Sequence, residues 1–101
     1  LVNHPRAAAF AARVIADIVG PRNTLVQEPA MASEDFAFML QAKAGAYCFI
    51  GNGEGAHREH GHGDGPCLLH NPSYDFNDAL IPLGATYWVR LAEAWLGDAQ
   101  R

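Results

Sequence analysis

The stretch Cys67-Leu68-Leu69-His70-Asn71-Pro72-Ser73-Tyr74-Asp75-Phe76-Asn77-Asp78 gathers the groups in this chain best suited to chemistry. An apolar pair that reads as buried leads into His70, and Asn71-Pro72 redirects the backbone at once. An acidic, Asn-rich turn then opens a long apolar helix. This suits an imidazole held at the lip of a cleft. An imidazole there can take a proton, bind a metal or simply hold structure together. On residue type alone the structural role is favoured.

Two further groups of residues invite a chemical reading. Glu34 and Asp35 follow Ser33, a good N-cap, so both carboxylates fall near the positive end of a helix dipole. Dipole compensation, worth up to about 1 kcal/mol each, is the simplest account of them. From Gly51 to Gly65 the chain holds six glycines and three histidines, His57, His60 and His62. His60 and His62 are spaced so that both can reach one ion, but a glycine-rich loop loses much entropy in closing round a metal. A solvated polar loop is the favoured reading. A self-contained metal module built from these three and His70 is the alternative.

The elements that must position these residues follow from the apolar pattern. Phe10, Ala11, Val14, Ile15 and Ile18 form one stripe, which predicts a helix over residues 5–19, with Asn3 as cap, Pro5 in the first turn and Gly20-Pro21 as the stop. Thr24 to Glu28 reads as a short strand. A second helix begins after Ser33, buries Phe36, Met39 and Leu40, and stops near Ala44-Gly45. Ala46 to Ile50 is a short apolar run between glycines, predicting a buried strand. Asn77 or Asp75 caps a helical turn, and a last helix begins at Pro82 and ends at Gly97. Its apolar face carries Leu83, Tyr87, Trp88, Leu91, Trp95 and Leu96, read as core. The order helix, strand, helix, strand, loop, helix defines an α/β class with too few strands for a complete sheet.

Composition narrows the function classes. Half of the 101 residues are hydrophobic and the net charge is -4, which fits a folded domain and argues against a nucleic-acid partner. The seven basic residues are scattered. No apolar run approaches the roughly 20 residues that span a bilayer. Cys48 and Cys67 cannot make a disulfide framework. They are either one bridge or two reduced, partly buried thiols, the latter favoured and pointing to the cytoplasm. The chain starts Leu1-Val2-Asn3-His4-Pro5, with neither a signal peptide nor an initiator Met, which suggests processing or a piece of a longer protein.

Taken together, Asn3-His4-Pro5, Met31-Ala32-Ser33-Glu34-Asp35-Phe36, Phe49-Ile50-Gly51-Asn52, Leu69 to Asp78 and Ile81-Pro82-Leu83-Gly84-Ala85 resemble the closing segment of the M20 metallopeptidase and amidohydrolase family. The resemblance is nearest to its hippurate hydrolase and N-acyl-amino-acid amidohydrolase branch, and it covers nearly the whole chain in order. Ala32 stands where the family's pattern has Gly, a small-for-small change.

The resemblance implies that residues 1–101 form the C-terminal segment of an α/β/α zinc-peptidase-like catalytic domain, without the lid or dimerisation domain. It implies hydrolysis of the amide bond of an N-acyl amino acid, using one or two divalent ions (Zn, Mn, Co or Ni). His70 takes the role of a metal ligand, Asn71 and Pro72 fix its approach, and Glu34, Asp35 and Asn71 become pocket or supporting residues. The general base and the other ligands are expected upstream, so no catalytic residue is assigned here and the segment alone is expected to be inactive. Its partners are then the small substrate and the remainder of its own catalytic domain. Self-association through exposed apolar edges stays open as a third reading.

Overall fold

The computed structural model describes residues 1–55, 58 and 68–98. Among these the backbone forms three α-helices: α1 (Pro5–Val19), α2 (Phe36–Ala42) and α3 (Ile81–Asp98). Short 3-10 turns lie at Pro21–Asn23 and Asp78–Leu80. The residues fall into two units, Leu1–Phe49 with the chain from Thr86 onward, and Ile50–Ala85.

In the first unit, α1 occupies the span its apolar stripe predicts, with Pro5 in the first turn and Gly20 at φ 84° closing the end. Asn3 does not cap it. The Asn3 amide turns instead to Tyr47, donating from Nδ2 to the carbonyl at 2.8 Å and accepting the N–H on Oδ1 at 2.7 Å. Beside this pair, the His4 N–H donates to the Gly45 carbonyl at 3.0 Å. One side chain thereby gives Tyr47 the two hydrogen bonds that a neighbouring antiparallel strand would supply.

That substitution matters because the expected strands, Ala46 to Ile50 and Thr24 to Glu28, are not strands among the described residues. An extended segment becomes a strand only when a neighbour takes its N–H and C=O groups. Here Phe49 and Ile50 are exposed, as are Leu25 and Val26. The two strands expected within that α/β order are therefore absent among the described residues, which hold helices and connecting segments without a sheet.

The second helix also departs from expectation. Asp35, not Ser33, stands at its N-cap, in helical geometry and without a capping side-chain bond. Phe36 and Leu40 close over Gly45, where an added Cβ would come within 3.0 Å of Leu40 Cδ2. Met39, expected on the buried side, is 62% exposed. With seven residues the helix has only two turns and so one packing contact per turn.

Helix α3 runs through Gly97 to Asp98 rather than stopping at the glycine. Trp95 meets Phe10 of α1 edge-on, with centroids 5.4 Å apart. Arg13 lies 5.3 Å from the Phe10 centroid and 3.5 Å from the Asp98 carboxylate. The ion pair is exposed and contributes at most about 1 kcal/mol. Trp88 and Trp95, read as core, are largely exposed, and the only buried hydrophobic residues among those described are Ala11 and Val14. A helix hides its apolar stripe only when a second layer lies over it, and α1, α2 and α3 cover one another only partly.

Cys48 is an exposed free thiol whose Sγ donates to Tyr87 Oη at 3.6 Å. The expectation of a partly buried thiol fails for Cys48, and Cys67 lies outside the described residues. No helix among the described residues is long and apolar enough to cross a membrane.

Replacing Asn3 by Ala removes both bonds to Tyr47. At about 0.5–1.5 kcal/mol for each, urea denaturation should show a loss of roughly 1–3 kcal/mol. An unchanged midpoint would show that water replaces the amide without penalty.

Candidate functional site

His70 sits in the second unit, at the third position of a turn in which the Asn71 N–H donates to the Leu68 carbonyl at 3.0 Å. Its φ of 68° is the single positive value outside glycine among the described residues. Turns that demand a positive φ at this position ordinarily take Gly or Asn. An L-residue there costs roughly 1–2 kcal/mol, and histidine is among the few types found there more often than average. Leu68 and Leu69, read as a buried lead-in, are exposed.

A second turn follows directly, with the Tyr74 N–H donating to the Asn71 carbonyl at 2.9 Å and Pro72 at its second position. Asn71 Oδ1 accepts from the Ser73 N–H at 3.0 Å and from Ser73 Oγ at 2.7 Å. This is the local side-chain turn for which Asn is selected ahead of Pro. Ser73 is only 4% exposed, so Asn71 satisfies a donor that has little access to water. Tyr74 and Phe76 then stack edge-on at 4.8 Å.

The outgoing chain is latched to Asn52, which sequence reasoning noted only as part of a motif. Asn52 Nδ2 donates to the Asp75 carbonyl at 3.0 Å, and Asn52 Oδ1 accepts the Asn77 N–H at 3.0 Å. In return, Asn77 Nδ2 donates to the Asn52 carbonyl at 3.2 Å. Gly53, at φ 73°, lies so close that a Cβ would stand 3.1 Å from Asn77 Nδ2. Asn77 also caps the Asp78–Leu80 turn, accepting the Ala79 N–H at 3.1 Å, as the sequence led one to expect of Asn77 or Asp75.

Glu34 and Asp35 belong to the first unit and are exposed. Glu34 Oε1 accepts the Phe36 N–H at 3.1 Å, so it satisfies an orphan donor at the start of α2. A hydrogen bond to Glu34, reinforced by its charge, pushes the Tyr47 phenol above its ordinary range. Burial pushes the Tyr87 phenol up as well, aided by the bond to Cys48. The structure brings His70 and Asn71 together and gives Glu34 and Asp35 a helix-start role. His57, His60 and His62 lie outside the described residues.

The His70 ring is exposed and hydrogen-bonds to none of the described residues, so its nitrogens are open to coordination. Among the described residues no three His, Cys, Asp or Glu side chains gather into a site for an ion. A catalytic zinc generally takes three protein ligands, so His70 fits one corner of such a site.

Comparison with known proteins supplies the class. The model of peptidase family M20/M25/M40 matches residues 1–94, and the chain belongs to that family. Among curated proteins it is 35% identical over 96 residues to the hippurate hydrolase of Campylobacter jejuni, covering 94% of this chain and 22% of that protein. It is 33% identical over 98 residues to the IAA-amino acid hydrolase ILR1-like 5 of Arabidopsis thaliana, covering 97% of this chain and 21% of that protein. The chain thus spans about a fifth of the length of these relatives. No solved structure matches it significantly.

Two measurements test this geometry. His70→Gly should be neutral or stabilising by up to about 1 kcal/mol, whereas His70→Val should lose about 1–2 kcal/mol. Equal urea midpoints for the two would show that residue 70 is not left-handed. Glu34→Gln should lower the Tyr47 phenol toward its ordinary value in an ultraviolet titration, because the charge that opposes phenolate formation is gone.

Proposed function

We propose that this chain is part of the catalytic domain of an M20-type metal-dependent amidohydrolase that cleaves the amide bond of an N-acyl amino acid. Membership of the family carries the proposal, and the geometry of the His70 turn supports it. The two relatives named above are a hippurate hydrolase and an IAA-amino acid hydrolase, both named for amide-linked amino-acid conjugates.

In this reading His70 supplies one ligand to a divalent ion. A divalent ion held there would supply a Lewis acid for water and for the scissile carbonyl. The work of this chain is to aim the imidazole. The left-handed turn at residue 70 sets the direction of the ring, and Asn71 with Pro72 locks the following turn so that the direction holds. Asn71 acts as a supporting residue. Glu34 and Asp35 remain pocket candidates, Glu34 through its bonds at the start of α2. The general base and the remaining ligands come from outside the described residues.

The exposed apolar surface fits the same reading. Phe49, Trp88, Trp95 and Leu96 are the kind of residues a neighbouring layer covers, and the rest of the catalytic domain is the partner proposed to do so. Within that larger domain Ala46 to Ile50 would gain the strand neighbour whose place Asn3 partly takes here.

The test is His70→Ala in the full-length enzyme, with an N-acyl amino acid such as hippurate as substrate. Loss of one ligand of three should lower kcat/KM by more than the roughly 10- to 100-fold that loss of a supporting contact costs, and weaken retention of the metal. A variant that keeps full metal content and rate would remove His70 from the site.

A further inference from the structure

The Asn52 and Asn77 side chains form a reciprocal clamp that joins two segments separated by the whole glycine- and histidine-rich loop. Asn52 spends both ends of its amide on the segment leaving the His70 turn, at Asp75 and Asn77. Asn77 answers with its own Nδ2 on the Asn52 carbonyl and uses Oδ1 to start the Asp78–Leu80 turn ahead of α3. An asparagine is the right residue for each position. Its amide offers a donor and an acceptor from one short, stiff side chain. Aspartate lacks the donor, and glutamine adds a methylene that no longer matches the spacing.

The clamp lies where the turn most needs it. His70 is held at φ 68°, a conformation that a free turn leaves readily because the β and right-handed regions are lower in energy. Such a residue persists when its surroundings over-determine it. Upstream, the Leu68–Asn71 hydrogen bond closes its turn, and the Asn71–Ser73 bonds fix the next one. Downstream, the Asn52 clamp is a long-range tie. Gly53 permits that tie, since a larger residue would push against Asn77 Nδ2.

We propose that Asn52 and Asn77 are positioning residues for His70, their reciprocal side-chain-to-backbone clamp anchoring the turn that aims the imidazole. This rests on the reading of His70 as a metal ligand, and the experiment separates the two. Asn52→Ala removes both amide bonds to 75 and 77, while Asn52→Asp keeps the acceptor for the Asn77 N–H and loses only the donor. Asn77→Asp keeps the Ala79 cap and drops the bond to the Asn52 carbonyl.

In the 101-residue chain, the strong intraresidue amide-to-Hα nuclear Overhauser effect of a left-handed residue reports His70 directly. It should be lost in Asn52→Ala and weakened in both Asn52→Asp and Asn77→Asp, with the α1 resonances unchanged. In the full-length enzyme, Zn2+ affinity measured by chelator competition should fall about 10- to 100-fold in Asn52→Ala, with Asn52→Asp intermediate. If the His70 signal and Zn2+ affinity survive Asn52→Ala while His70→Ala weakens Zn2+, the clamp proposal is overturned and the ligand reading stands. If His70→Ala leaves Zn2+ affinity intact, the ligand reading fails and positioning for a metal falls with it, whatever the signal shows. If α1 resonances collapse in Asn52→Ala, the residue holds the fold generally and the positioning role is rejected.

Discussion

Backbone groups that lack a strand neighbour must find another partner, and in this chain asparagine side chains take that place. Asn3 supplies Tyr47 with a donor and an acceptor, and Asn52 does the same for Asp75 and Asn77. Both ties join segments far apart in sequence. A buried or half-buried peptide group left unpaired costs more than a typical hydrogen bond contributes, so these few amides govern where the extended segments can lie. The packing of Tyr47 against Phe36 and Phe49, and the path of the chain away from His70, both follow from them.

The same constraint explains why the apolar surface is so open. Side chains from α1, α2 and α3 meet at a few points, such as Phe10 on Trp95 and Leu40 over Gly45, but no sheet forms among the described residues. Hydrophobic faces written at helical spacing therefore remain half covered. For a member of peptidase family M20/M25/M40 matched over residues 1–94, these are faces that a larger domain would close. The site proposed at His70 has the same character, one exposed imidazole on a left-handed turn.

Local signals were legible wherever a short stretch of chain decides its own conformation. Helix α1 appears where its stripe, Pro5 and Gly20 place it. Asn77 caps a turn because an amide two residues ahead of a free N–H needs no tertiary help. The strands were not legible in the same way. Val, Ile and aromatic residues in a row favour extended backbone, but a strand exists only in a ladder, and a ladder is a property of two segments. The two tryptophans erred for a related reason, since spacing shows which face is apolar and not whether anything covers it.

His70 shows both halves most clearly. Its residue type, the Asn71-Pro72 turn after it and the family resemblance were all in the sequence, because they depend on neighbours within a few positions. The left-handed backbone at residue 70, the burial of Ser73 and the Asn52–Asn77 clamp were decided by the folded structure. The clamp requires segments from opposite ends of a long loop to arrive at hydrogen-bond distance, and a bond with such strict geometry is set only when the chain has folded.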